Sequence, residues 1–392
     1  MKSGFANAQI GDLCVVVAGQ SPDGRFYNAD GQGMPFYQGK KDFGEKFIGD
    51  PTSWTTQVTK IAREGDILMS VRAPVGPVNF AAGEVCIGRG LAAIRCGNGL
   101  DREFLFYQLL HLQTEIAGKE GAVFASISKS AIESLPIVVA PLPDQQRIVG
   151  ILDEAFAAIA TARANTEQNL RYAREVFGSH RESVLSIRGD GRAETTIGDE
   201  VDLLVGFAFK SDRYTKSDAS VRLLRGDNIV QGSLRWDDVK KWPASDTAEY
   251  SRYQLRQGDV VLAMDRPWVK SGLKHAMISE SDLPCLLVQR TACIRVDCEM
   301  DNRFLMYLIG TRMFSSHILG IQTGLGVPHV SGQQIRDFSF FRPPLAEQRR
   351  IAANLDAARV ETERLASVFQ RKLAALDALK QSLLHQAFTG AL

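Results

Sequence analysis

The sequence lacks the features that mark several large classes of protein. No stretch approaches the ~20 consecutive apolar residues of a membrane-spanning helix. The start, Met1-Lys2-Ser3-Gly4-Phe5, has neither the apolar segment nor the small-residue cleavage site of a secretory signal. The six cysteines include no Cys-x-x-Cys pair, and no histidine stands at zinc-finger spacing. These absences predict a cytoplasmic chain with no membrane partner, no metal site and reduced thiols.

An excess of one charge is also missing. The 392 residues include 46 basic and 45 acidic side chains, for a formal net charge of +1. A protein of this balance that binds nucleic acid must do so through local patches or with help from partners. Length and a 45% hydrophobic content predict two or three folded domains.

Catalytic motifs are incomplete wherever they begin. Gly39-Lys40-Lys41 resembles part of a phosphate loop, but Gly33 is one residue too distant and Lys41 replaces the magnesium-binding Ser or Thr. Asp42-Phe43-Gly44 copies a kinase tripeptide without a His-Arg-Asp loop. Pro343-Pro344 lacks the flanking residues of an adenine methyltransferase motif. The sequence therefore predicts a chain that is not itself an enzyme.

The chain contains two copies of one pattern in the same order. Ile10-Gly11-Asp12 returns as Ile197-Gly198-Asp199, and the segment Pro141–Asp153 returns as Pro344–Asp356. The second pair shares Pro-Leu-x-(Asp/Glu)-Gln-x-Arg-Ile, which shared turn chemistry does not explain. An internal duplication is the simplest interpretation.

Each copy has a strand-rich first part and a helical second part. Short apolar runs bounded by Gly or Pro, such as Asp66–Val71, predict strands, and a helix opens at Asp101 and at Asp301. After these come long heptad stripes typical of coiled coils. The stripes are formed by Ile148, Leu152, Ala155, Ile159, Ala162, Thr166, Ala173 and Val176, and by Leu355, Ala358, Thr362, Leu365, Phe369, Leu376, Leu379 and Leu383.

The fold prediction follows from these parts. It is an α+β protein with domains at 1–143 and 189–343 and spacer helices at 144–188 and 344–392. Two rods of similar length, each with one apolar stripe, can bury their stripes against each other. The duplication then implies an antiparallel coiled coil with pseudo-twofold symmetry. Separate packing of each helix on its own domain is the alternative.

This organisation resembles the specificity subunit of type I restriction-modification systems. The resemblance covers essentially the whole chain and is strongest at Pro141–Asp153 and Pro344–Asp356, with support from Ile87–Arg95. It implies two target recognition domains, each reading one half of a split sequence in double-stranded DNA. It also implies two methyltransferase (M) subunits and motor-nuclease (R) subunits as partners. S-adenosylmethionine, ATP and magnesium would then belong to those partners, and this chain would hold no cofactor.

Candidate DNA-reading residues are polar side chains on loops that rigid strands present. Arg72 follows one predicted strand, and Arg266 follows its counterpart. Arg89 and Arg290, beside apolar strands, are predicted to be structural. The full candidate set is Gln38, Lys40, Lys41, Arg72, Lys129, Arg225, Asp227, Asn228, Arg266, Trp268, Lys270 and His329.

Two other functions remain open at this stage. One is a coiled-coil scaffold that binds only protein, and the other is an unrecognised nuclease or methyltransferase activity. Neither the recognised sequence nor the spacer between its halves follows from the residues.

Overall fold

The chain folds into two compact units. A computed structural model describes residues 5–116, 126–189, 191–269, 272–320 and 329–392. The first unit contains residues 1–168 and 369–392, and the second contains residues 169–368. Both boundaries fall inside long helices, so each unit takes one part of each helix. The sequence predicts a different division, into two sheet domains and two separate helices. That four-part division stays a prediction.

The first unit holds short strands, small helices, the first part of one long helix and the last part of the other. The strands are β1 Ala6–Gln9, β2 Cys14–Ala18, β3 Tyr27–Asn28, β4 Met34–Tyr37, β5 Trp54–Thr55, β6 Ile61–Ala62, β7 Ile67–Ser70, β8 Val78–Phe80, β9 Val85–Ile87, β10 Leu91–Cys96 and β11 Pro136–Val139. The helices are α1 Ile10–Leu13, α2 Arg102–Ile116, α3 Lys129–Glu133 and α4 Leu142–Leu185.

An antiparallel sheet in the order β2-β10-β7-β8 forms the centre of this unit. Its middle strands are buried on both faces, with Ile67, Leu68, Met69 and Ile94 fully inaccessible. That explains why β7 reads as a continuous apolar run instead of an alternating one. One face packs with α2 on the main core, and the other packs on a second sheet in the order β3-β5-β4-β9-β6.

The second unit has corresponding elements. Its strands are β12 Ala193–Thr196, β13 Val201–Val205, β14 Ser220–Leu224, β15 Ile229–Val230, β16 Ser233–Leu234, β17 Lys240–Pro243, β18 Val260–Ala263, β19 Trp268–Val269, β20 Gly272–Leu273, β21 His275–Met277, β22 Cys285–Leu287, β23 Thr291–Val296 and β24 Ser339–Arg342. Its helices are α5 Ile197–Glu200, α6 Asn302–Ile309, α7 Arg312–Gly320, α8 Gly332–Arg336 and the long α9 Leu345–Thr389.

The internal repeat is reproduced in the central sheet and in a two-stranded ribbon. The sheet order β13-β23-β18-β21 matches β2-β10-β7-β8, and the ribbon β12-β24 matches β1-β11. Asp66 is almost fully buried and forms a two-pronged ion pair with Arg95 at 2.9 and 2.6 Å. Asp259 and Arg295 repeat the pair at 2.8 and 2.7 Å. The sequence Gly65-Asp66-Ile67 is repeated as Gly258-Asp259-Val260. In each copy its aspartate is a buried charge with a fixed arginine partner, just before a central strand begins.

A glycine that the two copies share is required by close backbone approach. A Cβ on Gly19 would lie 2.2 Å from the carbonyl oxygen of Gly88, and one on Gly206 would lie 2.1 Å from that of Val288. No side chain fits at such a distance. These glycines end β2 and β13 against the loop that precedes the neighbouring strand.

The glutamine of the Pro-Leu-x-x-Gln motif joins each long helix to its own domain. The buried Gln145 amide donates to the carbonyls of Gly99 (2.9 Å) and Ala140 (2.7 Å), and its oxygen accepts from the Asp101 backbone N–H (2.7 Å). Gln348 repeats all three bonds, to Glu299, Pro343 and Asp301. One side chain thus ties together the end of a strand, a turn and the start of a helix.

A tyrosine and a carboxylate form a second tie in each unit. The Tyr107 hydroxyl donates to Asp153, which Lys46 also contacts at 2.9 Å. Tyr307 donates to Asp356 at 2.7 Å, and burial together with this bond raises its pKa to about 12. Both carboxylates lie on the long helices, so they fix the rotation of each helix on its sheet domain.

The long helices run antiparallel within each unit. In the first unit Arg147 of α4 donates to the Leu392 carbonyl (3.3 Å), and Arg163 pairs with Asp377. Residues later in α4 therefore contact residues earlier in the C-terminal part of the chain, so the two segments run in opposite directions. In the second unit Leu185 at the end of α4 packs with Ile351 and Leu355 at the start of α9. The antiparallel pairing is confirmed in each unit, and each observed helix end lies within three residues of the predicted one.

The predicted stripe on α9 is wrong at one position. Ile148, Leu152 and Leu355 are buried, and Ile159, Leu365, Phe369, Leu376 and Leu383 are partly buried, but Leu379 is 47% exposed. After Phe369 the next partly buried residue of the stripe is Leu373, four residues later. This spacing turns Lys380, and not Leu379, toward α4. The Lys380 ammonium lies 4.7 Å from the centre of the Phe156 ring. Val176 on α4 is likewise exposed, at 68%.

This register predicts opposite results for two leucines four residues apart. Leu383 packs against the core of the first unit, so Leu383→Lys should cost about 2 kcal/mol of unfolding free energy, measured by denaturant titration. Leu379→Lys makes the same chemical change at an exposed site and should stay within about 0.5 kcal/mol. Equal losses of stability would mean that both leucines are buried between the helices, as the predicted heptad stripe expects.

Candidate nucleic-acid interface

Two adjoining clefts lie beside the central sheet of the first unit. Their volumes are about 270 and 230 Å³, and Arg72 and Arg89 line both. The first is lined by Gln38, Gly39, Lys40, Ser70, Arg72, Ala73, Arg89 and Gly90. The second is lined by Ala18, Gly19, Val71, Arg72, Arg89, Leu91, Ala92, Ser126, Ile127, Lys129 and Ile132. The structure therefore brings Gln38, Lys40, Arg72 and Lys129 of the predicted set together.

The backbone that carries Arg72 is held on both sides. The Val71 N–H donates to the Gly90 carbonyl (2.9 Å), and the Val71 carbonyl accepts from Ile127 (3.0 Å). The Ser70 hydroxyl contacts the carbonyls of Arg72 (3.2 Å) and Pro74 (3.1 Å). A rigid loop thus presents a side chain that is itself exposed.

The charge of the clefts differs from that of the whole chain. Lys40, Arg72, Arg89 and Lys129 line them, and no acidic residue is among their described lining residues. Lys129 pairs with Glu133 at 3.5 Å, whereas the guanidinium groups of Arg72 and Arg89 form no ion pair within the described residues. The near-neutral chain therefore carries a local basic patch with two uncommitted arginines.

Arg89 corrects the sequence analysis, which predicted it to be structural. It is exposed and faces the clefts, because it lies in the turn just before β10 and not within the apolar strand. The arginine inside that strand, Arg95, has the structural role. Lys41 lies outside both clefts, where it contacts the Thr52 hydroxyl (3.4 Å) and Asp42 (3.9 Å).

The second unit has an acid where the first has Arg72. Met264 donates to the Arg290 carbonyl as Val71 does to Gly90, and Asp265 pairs with His329 as Arg72 pairs with Ser126. The structural counterpart of Arg72 is therefore Asp265, one residue before the predicted Arg266. Arg72 and Arg266 were predicted as the arginines of corresponding loops, and in the structure Arg266 lies one residue beyond the counterpart of Arg72.

Asp265 contacts an arginine and a histidine. One carboxylate oxygen accepts from Arg290 at 2.9 Å, and the other contacts Nδ1 of His329. Both partners are more than half exposed, whereas Asp265 is 25% exposed. Arg290 thus holds Asp265 instead of supporting an apolar strand. This set of an acid, an arginine and a histidine contrasts with the first unit, where the charged residues that line the clefts are all basic.

Arg266 and Trp268 lie on the loop that follows. Arg266 is exposed and adopts φ of 44°, a left-handed conformation that costs a non-glycine residue about 1 kcal/mol. Trp268 is 47% exposed on the two-residue strand β19, which pairs with β20. The predicted candidate Lys270 lies outside the described residues.

Of the predicted DNA-reading residues Arg225, Asp227 and Asn228, the prediction for Asn228 is wrong. Asn228 is buried, and its side chain accepts from the Arg225 N–H (3.1 Å) and donates to the Arg235 carbonyl (3.0 Å). It is a turn residue and cannot also read bases. Arg225 pairs with the exposed Asp227 at 3.2 Å.

Sequence reasoning missed Lys274. Its side chain is 8% exposed, and burial lowers its pKa, while the nearby Asp227 favours the charged form. The residue lies within a continuous strand pattern and has no sequence signal of its own. Its position follows from the hairpin, whose Lys274 N–H donates to the Pro267 carbonyl at 2.7 Å.

Across the described ranges, no three His, Cys, Asp or Glu side chains cluster in a way that could hold a metal ion. Among the described helices, none combines the length and apolarity needed to cross a membrane.

Comparison with known proteins identifies relatives of the first half of the chain. The model of the type I restriction modification DNA specificity domain matches residues 2–170. The putative type I restriction enzyme MjaX specificity subunit of Methanocaldococcus jannaschii is 41% identical over 155 residues, which cover 39% of this chain and 36% of that protein. The EcoAI specificity subunit of Escherichia coli is 37% identical over 161 residues, covering 41% of this chain and 27% of that one. The matches thus span about a third of these relatives.

A solved structure matches over the full length. It comes from work on complex assembly and conformational transition of the type I R-M system, with a TM-score of 0.82, 17% identity and coverage of 100% of this chain and 99% of that one. At this identity the match concerns the fold, two sheet domains joined by long helices. Residues 2–170 are thus similar to type I restriction enzyme specificity subunits, and the whole chain shares the fold of this solved structure.

Proposed function

We propose that this chain is the non-catalytic, DNA-reading subunit of a type I restriction-modification complex, and that each unit reads one half of a split target. The observation that carries the proposal is the basic cleft of the first unit. Its two adjoining clefts are together lined by four cationic side chains, with no acid among their described lining residues, and two of the four are arginines that form no ion pair within the described part of the chain. The similarity of residues 2–170 to the type I restriction modification DNA specificity domain supports the same function.

Each cationic side chain of the first unit has a separate role in the proposal. Arg72 and Arg89 read base edges, because a guanidinium can donate two parallel bonds to O6 and N7 of guanine. Lys40 and Lys129 lie at the rims and contact phosphates, which position the duplex without carrying sequence information. Gln38 is exposed in the first cleft and can pair with adenine through its amide.

The second unit reads a different half-site in this proposal. Asp265 accepts a hydrogen bond from the amino group of cytosine, and Arg290 and His329 orient its carboxylate. Arg266 and Trp268 extend the reading surface, and Lys274 adds a cation beside Arg225 and Asp227.

Chemistry in the complex would come from partner subunits. Two methyltransferase subunits with S-adenosylmethionine, and motor-nuclease subunits with ATP and magnesium, would act at the site that this chain selects. The long helices would hold the partners, and the exposed apolar side chains of Leu379 and Val360 on α9 are available for contact.

An exchange of the first sheet domain tests the two-reader proposal. Replacing residues 1–140 with the domain of another family member should change one half of the methylated motif and leave the other half intact. The graft should keep Phe104, Tyr107 and His111, because these side chains contact Phe388, Asp153 and His385 of the helices. Motif mapping by methylation sequencing measures the result.

Two outcomes would contradict the proposal. A change in both halves would mean that the units do not read independently. Binding without any sequence preference, measured by gel shift with the methyltransferase partners, would instead support a protein scaffold. Exchange of residues 189–340 is the matched control and should change the other half alone.

A further inference from the structure

Two cysteines of the first unit lie directly opposite each other on neighbouring strands. Cys14 begins β2 and Cys96 ends β10, and the antiparallel register pairs the two residues. Cys14 is buried and Cys96 is partly exposed. They are 82 positions apart in the sequence, so only the sheet brings them together.

The hydrogen-bond pattern shows which kind of pair this is. The neighbouring pair Leu13 and Gly97 is joined by a backbone bond of 2.8 Å, and Gly19 donates to Leu91 at 2.9 Å further along the same strands. Hydrogen-bonded and non-hydrogen-bonded pairs alternate along antiparallel strands. Cys14 and Cys96 are therefore a non-hydrogen-bonded pair, in which the Cα atoms come within about 4.5 Å and side chains approach most closely. That separation lies within the range that a disulfide spans.

The second unit shows that the fold does not need cysteines here. The equivalent strands β13 and β23 place Val201 opposite Val296 in the same register. Valine suits such a pair on packing grounds alone. The first unit therefore has two thiols at a place where the second unit has two valines.

The other cysteines lack this arrangement. Within the described residues Cys86, Cys285 and Cys293 are buried and Cys298 is exposed, and none of them faces a cysteine across a strand pair. Burial raises the pKa of Cys285 to about 12, which makes its thiol unreactive.

We propose that Cys14 and Cys96 form a reversible intramolecular disulfide when the protein meets a peroxide. The Cys14 thiolate attacks one oxygen of hydrogen peroxide, and the O–O bond breaks to give a sulfenic acid and, after protonation, water. The Cys96 thiol then attacks the Cys14 sulfur, forming the S–S bond and releasing a second water. Two thiols are oxidised by two electrons in total, and one peroxide is reduced to two waters.

The local electrostatics agree with that order of steps. A hydrogen bond from the Cys96 thiol lowers the pKa of Cys14, while the same contact and burial raise the pKa of Cys96. Cys14 is therefore the attacking thiolate and Cys96 the resolving thiol.

The crosslink would clamp the part of the chain that carries the basic clefts. The closed loop contains Lys40, Arg72 and Arg89, whereas the thiols lie at the far ends of the strands whose other ends, at Ala18 and Leu91, line a cleft. About 15 Å of strand separates the two places. Oxidation should therefore stabilise the first unit without blocking its clefts, and this inference does not depend on what the clefts bind.

The test uses the full chain with Cys298→Ser, which removes the exposed thiol as a route to crosslinks between chains. After hydrogen peroxide, free thiols are blocked with N-ethylmaleimide and the peptides are analysed by mass spectrometry. We expect a linked peptide pair containing Cys14 and Cys96, its loss with dithiothreitol, and an increase of about 10 °C in thermal unfolding midpoint of the first unit.

The matched control copies the second unit at this position. Cys14→Val with Cys96→Val should fold normally and show no midpoint change after peroxide, because Val201 and Val296 already occupy the same pair. Full alkylation of both cysteines in the treated parent, or sulfinic acid on Cys14 without a crosslink, would overturn the proposal.

Discussion

Replacing Arg72 and Arg89 together with alanine should remove recognition of one half of the DNA target and leave the other half intact. These are the two uncommitted guanidinium groups that line both basic clefts. A bidentate arginine–guanine contact contributes about 1–3 kcal/mol of discrimination, so the double variant should lose about 2–6 kcal/mol. Binding to targets altered in either half, measured by gel shift of the chain with its methyltransferase partners, separates the two halves.

Arg63→Ala is the control for charge and for side-chain size. Arg63 is also exposed, and it lies in the turn before β7, whereas Arg72 follows the end of that strand. Its backbone N–H, which donates to Asp66 at 2.8 Å, is kept in the variant. A loss of discrimination as large in Arg63→Ala as in the double variant would mean that overall charge, and not the cleft, determines specificity.

Gln145→Leu should cost about 3–5 kcal/mol of unfolding free energy in the first unit. The change keeps the volume nearly constant but leaves the carbonyls of Gly99 and Ala140 and the N–H of Asp101 without their partner in a buried place. Each such group costs about 1–3 kcal/mol when it is unsatisfied. Chemical denaturation of the variant, followed by circular dichroism, measures the loss.

Gln146→Leu makes the same substitution one residue later, at an exposed position of the same helix. It should change stability by about 0.5 kcal/mol or less. Gln348→Leu should produce the larger loss in the second unit, since it makes the same three bonds there. A Gln145→Leu protein as stable as Gln146→Leu would show that the motif serves a purpose other than joining helix to domain.

Local patterns predicted the elements that depend on neighbouring residues. The apolar run of Ile67–Ser70 gave its strand, and the cap at Asp301 is present, where the carboxylate accepts from the N–H groups of Arg303 and Phe304. The repeat predicted two domains of one topology, because similar sequences bury similar faces. The Gln145 and Gln348 motif stood out in the sequence, but its three-way bond required the strand, turn and helix to be placed together.

Long-range packing decided what the patterns left open. The inward position of Lys380 in place of Leu379 depends on which α4 residue lies opposite, here Phe156. Arg89 faces a cleft because the turn before β10 meets the loop after β7, and those residues lie far apart in sequence.

The counterpart of Arg72 in the second unit was also decided by packing. The sequence analysis named Arg72 and Arg266 as the arginines of the two loops that follow the central strands. The backbone hydrogen bond from Met264 to Arg290 shows that Asp265 occupies the place of Arg72 and that Arg266 lies one residue further along. Such bonds join segments that are distant in the sequence, so they decide which loop residue occupies which place.

The sequence by itself determined the duplication, the two long helices, the absence of a complete catalytic motif and the family resemblance. All of these depend only on the order and spacing of residues along the chain. The tertiary structure alone decided which arginines are free, which acid occupies the place of Arg72 in the second unit, and which two of six cysteines face each other. The physical reason is that charge pairing and thiol contact depend on distances between residues that the sheets bring together, and no local pattern encodes those distances.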